Sequence, residues 1–232
     1  MRSIPAGSYV PLYSDRGSPP VQVAAFRLDR VPVTNADFQS FLGMHPQWRR
    51  DRIKRLFADE GYLAAWTDAL TPHGDPAQPV VSVSWFAARA YCEAQGKRLP
   101  LEDEWELAAS ASHDRPYARD RAAWSATILT WYSQRTTTPA AVGQSPPNYY
   151  GVHDLHGLVW EWVEDFNATL YGADNRQGGD GNLLRFCGAG ALNAADALDY
   201  ANFMRSAFRT SLQGSYTTKQ LGFRCASDES DP

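Results

Sequence analysis

Three cysteines, Cys92, Cys187 and Cys225, are the chain's only thiols, groups that can act as soft ligands and strong nucleophiles. So few do not make a secreted disulfide framework, and an odd number leaves at least one free thiol. A close pair of thiolates suits Cu(I). His153 and His156 stand three apart and reach one metal only if both rings face it. Arg205, Arg209 and Arg224 each carry five N–H donors, and burial would force those donors onto carboxylates or carbonyls. The chain holds no CxxC, no HExxH, no P-loop and no GxGxxG between a strand and a helix. Common nucleotide and zinc-protease chemistries therefore have no sequence support.

The elements that must position these groups are short. Of 232 residues, 44% are hydrophobic and 12% aromatic, among them 8 Trp, and 17 Gly and 15 Pro break the chain into pieces. That composition predicts a core of large rings held by brief strands, helices and much loop. Residues Val21–Leu28 read as strand. Helices are expected near 34–43, capped by Thr34 or Asn35, near 84–96, ending at Gly96, and near 101–111 with an acidic first turn. Cys92 then falls inside the second helix among Ala and Tyr, a packing position. The run Trp48–Phe57 reads as a basic amphipathic helix, either a solvated face or a docking surface for an acidic partner. From 113 onward the pattern predicts mostly loops and short strands.

Charge narrows the function classes. With 22 basic and 26 acidic residues the net charge is -4, which excludes a nucleic-acid binder driven by bulk positive charge. No apolar run is long enough to span a membrane, and the first residues lack a signal-like apolar core, so no membrane partner and a cytoplasmic location are expected.

Six blocks, in order, resemble the formylglycine-generating-enzyme, or sulfatase-modifying-factor, family. They are Ile4-Pro5-Ala6-Gly7, Pro32–Phe38, Pro79–Ala88 with Tyr91-Cys92, Arg98–Ala109, Gly151–Trp162, and Leu221-Gly222-Phe223-Arg224. The resemblance covers nearly the whole chain and implies one domain over 1–232. It also implies an α+β fold related to C-type lectins, with short twisted sheets, two to three helices and much irregular loop.

The resemblance also implies site chemistry. The family's enzymes oxidise a client cysteine to formylglycine with two thiolates that bind Cu(I). The matching positions here are Asn193 and Leu198, so no formylglycine-generating activity is expected. Cys187 and Cys225 lie on strands that the family brings into one region, with Cys92 remote. Their expected roles are buried packing, a disulfide, or a copper or redox pair. Asp154, Gly157, Val159 and Glu161 match a calcium site, two side-chain and two backbone oxygen donors for a hard cation. Leu158 departs from the family's Asn there, and His153 from its Tyr. Arg205, Arg209 and Arg224 match arginines that bridge loops to the core, with substrate-carboxylate anchoring as the sharper alternative. Asp196, Asp199 and Tyr200 occupy the place of the active-site loop and are the catalytic candidates, since Asp and Tyr can transfer protons.

Around residues 186–191 and 217–224 the pattern resembles members described as accessory proteins of nitrite reduction. The expected function is an accessory or binding protein acting on or with another protein or peptide. The alternative is a metal-dependent oxidase of the same family using a different site.

Overall fold

The structure is a computed structural model, and it describes residues 1–10, 19–118, 126, 128, 130, 138–166, 208–209 and 211–229. Short extended segments come first: β1 (Arg2–Ile4), β2 (Gly7–Tyr9), β3 (Val21–Val23) and β4 (Phe26–Leu28). The span Val21–Leu28, expected as strand, is split into two strands by Ala24-Ala25. In each of the four strands the last residue is buried, so alternation sets which face enters the core.

Three helices follow. α1 (Asn35–Met44) opens with a capping box: Thr34 Oγ1 accepts from the Asp37 N–H, and Asp37 accepts from the Thr34 N–H. α2 (Trp85–Ala94) is capped by Ser84, whose hydroxyl accepts from the Ala87 N–H at 3.2 Å. It ends beside Gly96, which takes a φ of +67°. α3 (Glu102–Ala109) has no Ser or Thr cap. Glu104 instead reaches back to the Leu101 N–H at 2.8 Å, and Asp165 accepts from the Glu102 N–H at 2.7 Å. All three helices lie within one or two residues of the spans read from sequence.

Late in the chain come β5 (Trp160–Glu161), β6 (Leu221–Gly222) and β7 (Ala226–Asp228). The sheets are β1-β4-β7 and β2-β3, both antiparallel, and β5-β6, parallel. The two ends of the sequence thus meet in one sheet, with Phe26 opposite Asp228 and Leu28 opposite Ala226. Rings fill the core between helices and strands. Phe38 of α1 touches Phe41, Trp66, Tyr91 and Phe223, with centroids 5.4 to 6.4 Å apart.

One expectation needs correction. The basic run is not a helix. Pro46–Trp48 forms a single 3-10 turn, and turns follow. Arg49 donates to the Leu42 and Gly43 carbonyls at the end of α1, and Arg50 donates to the Leu63 and Trp66 carbonyls. These two side chains serve the backbone, so charge spacing misread them as a solvated stripe. After residue 113, Ala126, Ile128 and Thr130 are helical. Among the described residues, no helix is long and apolar enough to cross a membrane.

Candidate functional site

The chemistry-bearing residues converge where α3, β5 and residues 223–225, which follow β6, meet. Gly222 is required at this junction, because a Cβ there would stand 2.5 Å from the Val80 carbonyl oxygen. β5 pairs with β6 so that Glu161 stands beside Gly222, and the next residues, Phe223 and Arg224, enter the core.

Arg224 and Glu161 have fully buried side chains and form a two-pronged ion pair. Arg224 Nε donates to Glu161 Oε2 at 2.8 Å, and Nη2 donates to Oε1 at 2.7 Å. Trp105 of α3 adds its indole N–H to Glu161 Oε2 at 2.8 Å. The rest of the guanidinium donates to the carbonyls of Asp29, Arg30 and His153 at 3.2, 3.4 and 2.9 Å. Both charges are therefore met inside a medium that would otherwise penalise them heavily.

On the face of Trp105 lies the Arg209 guanidinium, 5.1 Å from the ring centroid. Arg209 Nη1 donates to Glu102 Oε1 and to Glu106 Oε1, each at 2.8 Å. Burial pushes the Glu102 carboxyl above its ordinary range; Arg209 opposes this, and Glu106 and Asp165 add to it. Close by, Tyr9 of β2 donates to Asp103. Burial, and then that carboxylate, hold its phenol far above the usual tyrosine value. Arg209 and Arg224 thus bridge loops and strands to carboxylates, while Arg205 lies outside the described residues.

The two histidines do not share a metal position. His153 Nδ1 contacts the Ser145 carbonyl at 2.7 Å, and His156 Nε2 contacts the Ala109 carbonyl at 2.9 Å. The ring of His156 also stands edge-on to Trp105. Asp154, with a φ of +59°, accepts from the Gly143 N–H and the Ser145 hydroxyl, each at 2.5 Å. Gly157 turns the chain at a φ of +87°, and Val159 is buried one residue before β5. Among the described residues, no group of three or more His, Cys, Asp or Glu side chains is arranged to hold a metal.

The cysteines correct the sequence reading. Cys225 is bonded to Cys92, with Cα atoms 5.6 Å apart, and both residues are fully buried. Cys92 was expected to be remote and to serve packing alone; instead it is the partner of Cys225, across 133 residues of sequence. Cys225 therefore has no thiolate to lend a copper or redox pair with Cys187. Cys187 and the catalytic candidates Asp196, Asp199 and Tyr200 lie outside the described residues. Sequence reasoning also missed Trp105 as a partner of Glu161; its place one helical turn from Glu102 and beside Glu106 was the only available signal.

The fold and this clamp define a small α+β protein of short sheets whose glycine–tryptophan turn is fastened by a buried arginine. The family model for the sulfatase-modifying factor enzyme 1-like domain matches residues 1–229, and the chain belongs to that family. It is 32% identical to the formylglycine-generating enzyme of Streptomyces coelicolor, over 90% of this chain and 80% of that protein. It is 31% identical to the inactive C-alpha-formylglycine-generating enzyme 2 of Bos taurus, over 91% of this chain and 80% of that one. Among solved structures, PvdO from Pseudomonas aeruginosa has a similar fold, with a TM-score of 0.53 and 21% identity, over 97% of this chain and 93% of PvdO.

Proposed function

We propose that this chain is an accessory or binding protein of the sulfatase-modifying-factor type that acts on or with another polypeptide and does not generate formylglycine. The observation that carries this reading is a count of thiols. The chain has three cysteines, and two of them are spent on the Cys92–Cys225 disulfide. One thiol remains, Cys187, and a copper site made of two thiolates needs two. Asn193 and Leu198 stand where the family resemblance puts that pair, and neither side chain is a soft ligand.

A relative of similar identity described as inactive supports the same reading. The resemblance of residues 186–191 and 217–224 to nitrite-reduction accessory proteins favours a role beside another protein. The buried disulfide favours an oxidising compartment over the cytoplasm for that role. The experiment is an assay of the full chain with a sulfatase-type cysteine peptide, copper, reductant and oxygen. No aldehyde is expected by mass spectrometry. Turnover to formylglycine, in protein freed of contaminating enzyme, overturns the reading.

A further inference from the structure

The calcium site implied by the family resemblance asks for oxygens of Asp154, Gly157, Val159 and Glu161 turned on one point. A calcium ion takes about six to eight oxygen ligands, with carboxylates supplying the charge. The donors here do not fit that demand. Glu161 gives both oxygens to Arg224 and shares one with Trp105. Asp154 gives one oxygen to the Gly143 N–H and the other to the Ser145 hydroxyl, and its own N–H donates to that hydroxyl oxygen. The two carboxylates are thus committed to different partners. A dication brought to Glu161 would meet a guanidinium already in contact with the same carboxylate, in a site closed to water.

Arg224 itself does what a bound cation does. It gathers oxygens from four residues: the carbonyls of Asp29, Arg30 and His153 and the carboxylate of Glu161. These bonds occupy all five N–H donors of a guanidinium. They join the end of β4, the turn before β5, and the segment 223–225 that follows β6. We propose that Arg224 is the resident cation of this turn, standing at Glu161 where the family resemblance puts calcium, so that residues 153–161 hold their shape without a metal.

Terbium is the probe, because Trp105, Trp160 and Trp162 lie at or beside Glu161 and would sensitise emission from a lanthanide bound there. The full chain, stripped with chelator, is titrated with terbium and then with calcium, and its melting is compared in chelator and in millimolar calcium. The expected result is no sensitised emission that calcium displaces, and the same melting temperature in both buffers. Calcium-displaceable emission and a calcium-raised melting temperature, both lost in Asp154→Asn or Glu161→Gln, overturn the proposal. If both variants keep them, calcium binds elsewhere and the proposal stands. Glu161→Gln leaves a buried arginine short of its charge partner; where that variant does not fold, Asp154→Asn decides alone.

Discussion

Arginine is used in two opposite ways in this molecule. Around Arg224 one guanidinium is fully buried with its carboxylate and reaches three carbonyls on two further segments of chain. In the 49–55 run the same residue type is dense, yet the ion pair formed there, Arg55 with Glu60, has side chains 74% and 83% exposed. The difference lies in solvent. Water screens the second pair and already satisfies both partners, so its formation changes little. In the first pair no water screens the charges, each has the other as its charged partner, and removing one strands its mate in a medium that cannot solvate it. A cluster of charges in sequence therefore says less about structure than a single arginine set between glycine, aromatic and cysteine.

The largest expected effect is at the clamp. Arg224→Met should cost about 3–5 kcal/mol in urea unfolding, the usual range for breaking a buried pair. Replacing both partners, as in Arg224→Met with Glu161→Leu, should recover much of that loss. A single-variant loss under about 1 kcal/mol would erase the contrast with the surface run.

Next comes the disulfide. Cys92→Ser should lower stability by about 2–4 kcal/mol, because a long loop is no longer closed in the unfolded chain. Unfolding with and without reductant measures the same quantity in the wild type, and a variant as stable as the wild type in oxidising buffer would refute the bond.

Arg209 sits between the two extremes, and about 2 kcal/mol is expected for Arg209→Met from its charged hydrogen bonds. This site also carries a pH signature. The folded state holds the Glu102 proton more tightly than the unfolded chain does. Its contribution is therefore complete below the ordinary carboxylate pKa and is lost as pH rises through the higher folded value. Melting temperature followed from about pH 4 to about pH 7 should show that loss. It should deepen in Arg209→Met, where the opposing cation is gone, and shrink in Glu102→Gln. The smallest effect belongs to Arg55→Ala, which should stay within about 0.5 kcal/mol of wild type.

How much of this was legible in sequence differs from element to element. α1 and α2 were readable because Thr34 and Ser84 announce their starts and apolar spacing gives their buried faces. α3 was readable from its acidic first turn, although its actual caps, Glu104 and Asp165, come partly from a distant segment. The 48–57 run failed because periodicity cannot tell an arginine facing water from one donating to the Leu63 carbonyl thirteen residues on. The Cys92–Cys225 bond was invisible for a related reason: local pattern places a cysteine on a helix but carries no information about a partner 133 residues away. At the site, resemblance marked Glu161 and Arg224 separately. That they answer each other required the register of β5 against β6, which two short strands do not announce.

The disulfide also changes what the chain is as a covalent object. Residues 92 to 225 form a closed ring, with residues 1–91 and 226–232 leaving it from the backbone of the two joined cysteines. A single cut by a protease anywhere inside that ring opens it without separating anything. Such a nicked molecule runs as one band on a non-reducing gel and as two after reduction, and both halves remain bolted together beside α2.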